Sequence, residues 1–235
     1  MYEKWLDTIA NCILFEGISK DELRSILPCL NVKIVEYKKG EYITVAGKPF
    51  NQIGLVLDGN IVLSKETVSG NRVIISVLGK SELFGEMAAY SGQKSWPVTV
   101  IAQTNCIIMF FSQDKIVGCC ESVCNSHRTL ILNMLKVVSN RALLLNRKVE
   151  YLSIKSLRSR ICTYLLEEYK KSGQKTFQLK LNRNELADFI NVSRPSLSRE
   201  LGKMRDEGLI DFHSTAIKIK DFEALKFTLE RLDSS

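Results

Sequence analysis

The sequence predicts an α+β fold in three parts: an N-terminal jelly-roll (a double-stranded β-helix), one long helix, and a C-terminal winged helix-turn-helix. Between residues 32 and 111, short runs of Val, Ile, Leu and Tyr are separated by glycines, which is typical of a compact β-sandwich or barrel. After Phe111, an apolar repeat of about 3.5 residues indicates one long helix. Residues 181–210 then have the pattern of two short helices joined by a tight turn and followed by a strand.

The composition is that of a soluble globular protein, with 45% hydrophobic and 25% charged residues among 235. No stretch is long and apolar enough for a transmembrane helix, and the N-terminus lacks the apolar core of a signal peptide. We therefore expect a cytoplasmic protein without a membrane partner. The net charge of +7 is mild, so it permits DNA binding without demonstrating it.

Local patterns predict the elements of the first part. Residues 1 to about 30 are expected to be helical, and the run 18–23 (Ile-Ser-Lys-Asp-Glu-Leu) combines a capping serine with a helix start. Strands are expected over Ile53–Leu57, Asn60–Leu63 and Arg72–Leu78, because these runs are rich in Val, Ile and Leu and lie next to turn residues.

The long helix carries a regular apolar seam at alternating steps of four and three residues: Ile131, Leu135, Val138, Ala142, Leu145, Val149 and Leu152. Such a seam favours the pairing of two helices as a coiled coil, and its length favours a homodimer. An intramolecular helix pair is the alternative. A second stripe lies beside the seam and is expected to pack on the β-domain: Leu130, Met134, Val137, Arg141 and Leu144.

The two short helices have the features of a DNA-binding motif. The first is predicted over residues 184–190, Asn191 stands at the turn, and Ser193 can cap the second helix. The second helix has one apolar stripe, formed by Leu197, Leu201 and Met204. Its other face is short or positive: Arg194, Ser196, Ser198 and Arg199. A hairpin expected over 209–213 and 216–220 would add a wing. The alternative is an ordinary helical hairpin with a solvated basic face.

Five short segments of the sequence are informative through their order along the chain. Residues 39–43 (Lys-Gly-Glu-Tyr-Ile) and 56–59 (Val-Leu-Asp-Gly) hold glycine turns, and residues 84–87 read Phe-Gly-Glu-Met. The run 148–166 ends the heptads and begins a new helix, and residues 192–199 read Val-Ser-Arg-Pro-Ser-Leu-Ser-Arg. Together they resemble the Crp/Fnr family of bacterial transcription regulators: its cyclic-nucleotide-binding β-roll with the phosphate cassette, its hinge, and its recognition helix.

The resemblance implies three domains along the chain. An effector-sensing β-roll with N-terminal helices would cover residues 1–120, a dimerisation helix and hinge 121–153, and a winged helix-turn-helix domain 154–235. It also implies a homodimer that binds double-stranded DNA and acts with RNA polymerase.

The resemblance further implies one set of DNA-contacting residues: Arg183, Ser193, Arg194, Pro195, Ser196, Ser198 and Arg199. Arg194 and Arg199 stand where the family's base-reading arginines stand, and arginine suits bidentate contact with guanine O6 and N7. Arg183 and Ser193 match contacts to the phosphate backbone. Pro195 departs from the family, because many members have a glutamate there that accepts a hydrogen bond from cytosine. We therefore expect an operator that differs from the operators of those members.

The effector pocket implied by the resemblance contains Phe84, Gly85, Glu86, Met87, Trp96, Pro97, Leu145 and Asn146. In members that bind cyclic AMP, an arginine and a hydroxyl residue hold the cyclic phosphate. Here Trp96 and Pro97 take those two positions, and Leu145 lacks the hydroxyl expected on the long helix. Because burying a phosphate without a counter-charge is unfavourable, the sequence argues for a small-molecule effector other than cyclic AMP. Trp96 could line a pocket for an apolar or aromatic effector, or it could simply fill the pocket.

The seven cysteines give no support for an iron–sulfur cluster, because no CxxC pair occurs and Cys12 and Cys29 are too far apart. Haem is not expected either, since the chain has only two histidines, His127 and His213, and the second belongs to the wing. Another cysteine group remains near the predicted start of the long helix, where the helix could extend back over it: Cys119, Cys120 and Cys124. With His127, Cys120 and Cys124 could share a helix face and form a metal site or a thiol switch. The alternative is that they fill small gaps in the core, with no metal bound.

The sequence therefore predicts an effector-responsive, sequence-specific transcription regulator that binds a palindromic operator as a homodimer. One alternative is a ligand-binding signalling module without DNA binding, and another is a thiol- or metal-sensing regulator. An enzyme is not expected, because the chain lacks a nucleophile elbow, a P-loop, an HExxH motif and a dinucleotide fingerprint.

Overall fold

The computed structural model describes residues 2–49, 52–66, 72–92, 95–118, 125–179 and 181–233. The chain forms two compact units, Met1–Arg141 and Ala142–Ser235. The boundary between them lies inside the long helix, whereas the sequence places domain boundaries near residues 120 and 153. Among the described residues, no helix is both long enough and apolar enough to cross a membrane.

The N-terminal unit begins with two helices, α1 (Leu6–Ala10) and α2 (Lys20–Cys29). Ser19 caps α2 with a reciprocal capping box: its hydroxyl accepts a hydrogen bond from the Glu22 amide, and the Glu22 carboxylate accepts one from the Ser19 amide. The predicted helix start in residues 18–23 is therefore confirmed.

Eight strands and two short helices follow in the described part of this unit: β1 (Lys33–Tyr37), β2 (Tyr42–Thr44), β3 (Gln52–Asp58), β4 (Ile61–Glu66), β5 (Arg72–Leu78), β6 (Leu83–Phe84), α3 (Glu86–Tyr90), β7 (Thr99–Ala102), β8 (Cys106–Ser112) and α4 (Gln113–Val117). They form two antiparallel sheets with the orders β1-β8-β3-β6 and β2-β7-β4-β5. All three strands expected from the sequence are present, and the predicted jelly-roll is confirmed.

The two faces of β3 belong to different cores. Ile53, Leu55 and Leu57 join the core formed with α1 and α2, whereas Val56 joins the core between the two sheets. Gly54 also lies on β3, and a Cβ atom there would come within 2.2 Å of the Phe84 ring. A glycine at this position therefore lets the aromatic ring of β6 pack directly on the backbone of β3.

The long helix α5 (Asn125–Ser153) begins in the N-terminal unit. Leu130, Met134 and Val137 of the predicted second stripe are buried in the core next to α1 and α2, as expected. Between them, the Asn133 amide donates hydrogen bonds to the carbonyl oxygens of Leu14 and Glu16, at 3.0 and 2.7 Å. The expectation for Leu144 is wrong: its side chain is 47% exposed, because the helix has by then passed beyond the β-domain's compact unit.

The C-terminal unit continues with α6 (Leu157–Ser172), β9 (Thr176–Gln178), α7 (Arg183–Phe189), α8 (Arg194–Asp206), β10 (Ile210–His213), β11 (Ala216–Ile219) and α9 (Phe222–Asp233). Its three strands form an antiparallel sheet in the order β10-β11-β9. Ser156 caps α6, and Gly173, with a φ of 67°, ends it. The predicted winged helix-turn-helix is confirmed, with α7 and α8 as its two helices.

Candidate DNA-binding surface and effector site

The turn between α7 and α8 is built as the sequence predicts. Asn191 adopts a left-handed backbone with a φ of 55°, and Val192 donates a backbone hydrogen bond to the Ala187 carbonyl. The Ser193 hydroxyl then accepts a hydrogen bond from the Ser196 amide and caps α8. These local contacts set the point at which α8 starts and therefore which side chains its first turn presents.

The two faces of α8 are strongly unequal. Leu197, Leu201 and Met204 are at most 1% exposed and pack in the core of the C-terminal unit. Outside this stripe, Pro195, Ser198 and Arg199 are exposed and Ser196 is half-buried, while Arg194 is exposed at the first position of the helix. Pro195 fits the first turn because a proline lacks only an amide hydrogen that has no partner within the helix there. The first two turns of α8 thus offer two exposed guanidinium groups and short hydroxyl side chains to a ligand.

The start of α7 forms a basic pocket beside the wing. A cavity of about 480 Å³ is lined by Asn182, Arg183, Asn184, Arg194, Phe212, Ser214 and Thr215. The Arg183 guanidinium stacks over the Phe212 ring at 4.9 Å from the centroid. Its two terminal nitrogens are buried and have no hydrogen-bond partner within the described part of the chain. Burial lowers the pKa of Arg183, because the charged form has lost hydration. The pocket is therefore suited to an anion that restores hydrogen bonds to this guanidinium.

In the N-terminal unit, the predicted Phe-Gly-Glu-Met segment leads from β6 into α3. Gly85 precedes the helix with a φ of 94°, a conformation that side-chain-bearing residues rarely adopt. Glu86 is only 2% exposed, and its Oε1 atom lies 3.0 Å from Nε of Arg141 on α5. Its Oε2 atom is buried without a hydrogen-bond partner among the described residues. Burial raises the pKa of the Glu86 carboxyl, and the charge of Arg141 opposes that effect in part.

Trp96 is part of the core between the two sheets. It is 4% exposed and shares that core with Phe84, while its backbone pairs with residues 47 and 48. Met87 and Pro97, which the sequence also assigns to the effector pocket, are exposed. Leu145 and Asn146 are exposed on α5 within the C-terminal unit. Of the eight expected pocket residues, Phe84 and Trp96 lie in one core. Gly85 and Glu86, which follow Phe84 in the sequence, are also buried.

Comparison with known protein families agrees with both units. Residues 34–123 match the cyclic nucleotide-binding domain family, and residues 159–227 match the Crp-like helix-turn-helix domain family. The chain belongs to the Crp/Fnr family of transcription regulators. The resemblance found in the sequence is therefore confirmed.

The relatives within the Crp/Fnr family differ in the signal that their names imply. The global nitrogen regulator of Synechococcus elongatus is 25% identical over 205 residues, which cover 81% of this chain and 86% of the relative. The cyclic AMP receptor protein of Thermus thermophilus is 24% identical over 221 residues, which cover 91% and 94%. The solved structure of the Thermus thermophilus catabolite activator protein shares the fold, with a TM-score of 0.53 at 21% identity over 94% of this chain and 99% of that one. Family membership thus leaves the effector undefined.

The predicted dimer seam of this Crp/Fnr chain divides into two groups. Ile131 and Val138 are partly buried against the core of the N-terminal unit. The members nearer the end of α5, together with Leu135, are exposed: Leu135 60%, Leu145 62%, Val149 57%, Leu152 46%, and also Ala142. Exposed leucine and valine side chains in a regular row form an apolar surface that a partner could cover.

The cysteine hypothesis lies partly outside the described residues, since Cys119, Cys120 and Cys124 are not among them. His127 is 7% exposed, and its Nε2 atom lies 2.9 Å from the Lys115 carbonyl oxygen. No group of three or more His, Cys, Asp or Glu side chains in the described ranges is arranged to hold a metal ion. Elsewhere, burial raises the pKa of the Cys12 and Cys162 thiols to about 12, which disfavours the reactive thiolate.

Several contacts at these surfaces were not visible in the sequence. Phe212 lies on the wing strand β10, and only the folded hairpin places it under Arg183. The Glu86–Arg141 pair joins residues 55 positions apart in the chain, although a charged residue within an otherwise apolar stripe of α5 was a usable signal. Arg158 of α6 binds Glu200 of α8 and Glu207, the residue directly after α8, each at 2.6 Å, and nothing in the local sequence of α6 indicates these contacts.

Proposed function

We propose that the protein is a homodimeric regulator that reads a palindromic operator by placing α8 of each copy in the major groove. The observation that carries this proposal is the exposed, capped first turn of α8, with Arg194 exposed at its first position and Arg199 exposed on the face opposite its buried stripe. A recognition helix uses its N-terminal residues to contact base edges, and half-sites of a dimer are spaced about one helical turn, or ~34 Å, apart.

Each cation on this surface has a distinct proposed role. Arg194 and Arg199 contact base edges, most favourably guanine O6 and N7. Arg183 contacts a backbone phosphate in the pocket beside Phe212, because an anion would supply the hydrogen bonds that its buried guanidinium lacks. Ser193, Ser196 and Ser198 are short enough to let the helix approach the groove closely. Pro195 cannot accept a hydrogen bond from cytosine through its side chain, so the operator differs at that position from those read by glutamate.

The homodimer would form through the seam of α5. Exposed Leu135, Leu145, Val149 and Leu152 repeat at the spacing of a coiled coil, and pairing with the same helix of a second copy would remove them from water. Burying apolar area contributes about 25 cal/mol per Å², so a seam of this length can supply several kcal/mol. The C₂ symmetry of such a pair matches the symmetry of a palindromic operator.

The β-domain would respond to a small molecule other than cyclic AMP. Trp96 stands where cyclic-AMP-binding members have the arginine that neutralises the phosphate, and it is packed in an apolar core. A ligand that reaches this core would have to be uncharged and largely apolar, because an anion there would lack a counter-charge. RNA polymerase is the partner expected of a regulator of this family, with the DNA-bound dimer as the binding form.

Selection of binding sites from random DNA, followed by gel-shift titration, tests this function. We expect the purified chain to select a palindrome, and the double variant Arg194→Ala/Arg199→Ala to bind it at least about 30-fold more weakly, since each bidentate contact contributes about 1–3 kcal/mol. Lys203→Ala is the matched control, because Lys203 is an exposed cation on the same helix but near its other end. Equal loss in the control and the double variant, or selection of no palindrome, would contradict the proposal.

The effector is tested separately by thermal shift. Cyclic AMP is expected to leave the unfolding temperature unchanged, while indole and other aromatic compounds serve as the probes for an apolar ligand. A saturable stabilisation by cyclic AMP would show that the assignment of Trp96 is wrong, because a ligand that binds only the folded protein raises its stability in proportion to RT ln(1 + [L]/Kd).

A further inference from the structure

One arginine of α5, Arg147, packs against aromatic side chains of the core of the C-terminal unit. Its guanidinium carbon lies 5.7 Å from the centroid of Tyr151, 5.9 Å from that of Tyr164 on α6, and 5.4 Å from that of Phe189 on α7. The same guanidinium donates a hydrogen bond to the Glu167 carboxylate, and Glu168 lies 3.8 Å away. Arg147 therefore contacts the end of the long helix, α6 and the first helix of the helix-turn-helix at once.

The rings around Arg147 also pack on one another. Tyr151 is 1% exposed, and its ring centroid lies 5.0 Å from that of Phe189 and 6.3 Å from that of Tyr164. Edge-on aromatic pairs of this kind contribute beyond their buried area, and a cation over a ring adds to them. Since arginine combines a planar stacking surface with a directed hydrogen bond to a carboxylate, a lysine at this position would retain only part of these contacts.

The contacts of Arg147 contrast with those of Arg141, six residues earlier on α5. Arg141 belongs to the N-terminal unit, where it pairs with Glu86 and donates a hydrogen bond to the Leu83 carbonyl at 3.2 Å. Arg147 makes the contacts just described in the C-terminal unit. Residues 142–146 (Ala-Leu-Leu-Leu-Asn) lie between them, and all five are exposed. Each unit thus has an arginine among the residues by which it contacts its own part of α5.

We propose that Arg147 is a positioning residue for DNA recognition: it fixes the last turns of the dimerisation helix on the helix-turn-helix. Where two copies pair through α5, this attachment sets the separation and rotation of the two recognition helices. The attachment of α5 to the DNA-binding unit thus begins at Arg147, before α5 ends at Ser153. This inference rests on the proposed function, because it assumes a dimer that reads two half-sites.

The test uses the full-length protein and measures operator spacing. The palindrome selected by the wild type is compared with versions that have one base pair inserted or deleted at the centre, each of which rotates the half-sites by about 34°. The wild type should prefer its selected spacing by about tenfold or more, the order of discrimination that one mismatched base pair produces. In Arg147→Gln this preference should fall to about twofold, while the affinity for a single half-site stays within about twofold of the wild type. Lys148→Gln, one residue further along α5, is the matched control and should keep the preference.

Two further variants separate positioning from general destabilisation. Arg147→Lys should recover part of the spacing preference, and Glu167→Gln should weaken it without adding to the effect of Arg147→Gln, since both remove the same contact. If Arg147→Gln keeps the wild-type spacing preference, or loses half-site affinity in the same proportion as spacing preference, the inference is wrong. If the wild type itself prefers no palindrome, the proposed function fails instead, and the two outcomes are therefore distinct.

Discussion

The DNA-binding surface and the interior of the β-domain differ in the charged groups that they contain. At the surface, Arg194 and Arg199 are exposed, and Arg183 is held on an aromatic ring with both terminal nitrogens lacking hydrogen-bond partners in the described chain. In the β-domain, Trp96 is buried in the apolar core between the two sheets, and Glu86 is the buried acidic residue of α3.

The difference indicates what each region can bind. A desolvated guanidinium beside hydroxyl and amide side chains gains most from a phosphate, because a charge-assisted hydrogen bond is about twice as strong as a neutral one. An apolar core disfavours a phosphate, since an anion buried there loses its hydration without gaining a counter-charge. The basic surface therefore favours an anionic ligand, whereas the apolar core of the β-domain disfavours one.

The largest effect is expected from Trp96→Ala. Removing a buried tryptophan should lower the free energy of unfolding of the N-terminal unit by about 3–5 kcal/mol, because both transfer energy and a cavity are lost. Chemical denaturation followed by circular dichroism measures this change. Half-buried Trp5 is the comparison, and Trp5→Ala should cost clearly less.

The same variant tests what the core accepts. An apolar cavity left by tryptophan should bind indole, which would restore part of the lost stability in a saturable manner. Cyclic AMP should give no such recovery. If Trp96→Ala is as stable as the wild type, Trp96 does not fill the core. The description of the β-domain interior as a closely packed apolar core would then be wrong.

A smaller effect is expected from Arg183→Leu. The affinity for DNA should fall about tenfold for selected and random sequences alike, and the slope of log affinity against log salt should decrease by about one, since one phosphate contact is removed. The free energy of unfolding should change by less than about 1 kcal/mol, because the variant loses a cation–π contact but no longer buries an unpaired charge. A loss confined to the selected sequence would assign Arg183 to base reading and contradict the phosphate role.

The sequence predicted the DNA-binding unit more completely than the effector site. The turn at Asn191, the cap at Ser193 and the burial of Leu197 depend on contacts with residues close in the sequence. These three roles could therefore be inferred from spacing alone. The contacts of Phe212 with Arg183 depend on how the wing folds back on α7, and no local pattern encodes that distance.

In the β-domain, the sequence predicted the positions of the strands but not how they pack against one another. The pattern of glycines and β-branched residues indicates where strands begin and end. Whether a given side chain is buried or exposed depends instead on how distant strands pair. Trp96 is buried while the adjacent Pro97 is exposed, although both were expected in one pocket. Likewise, the apolar stripe of α5 continued in the sequence to Leu144, but the compact N-terminal unit ends at Arg141.

The smallest expected effect is a pH dependence from Glu86. Burial raises the pKa of its carboxyl above the ordinary value of 4.5, so the folded protein holds a proton at pH values where the unfolded chain has released it. The stability contributed by the protonated form is therefore fully present below about pH 4.5 and is lost as pH rises through the raised pKa. Glu86→Gln has no such proton to lose, so its stability relative to the wild type should improve as the pH rises from about 4.5 through the raised pKa and then level off. Urea denaturation at several pH values measures that difference. A difference that shrinks with rising pH would mean that the Arg141 charge outweighs desolvation at Glu86, and the β-domain would then hold a well-compensated anion after all.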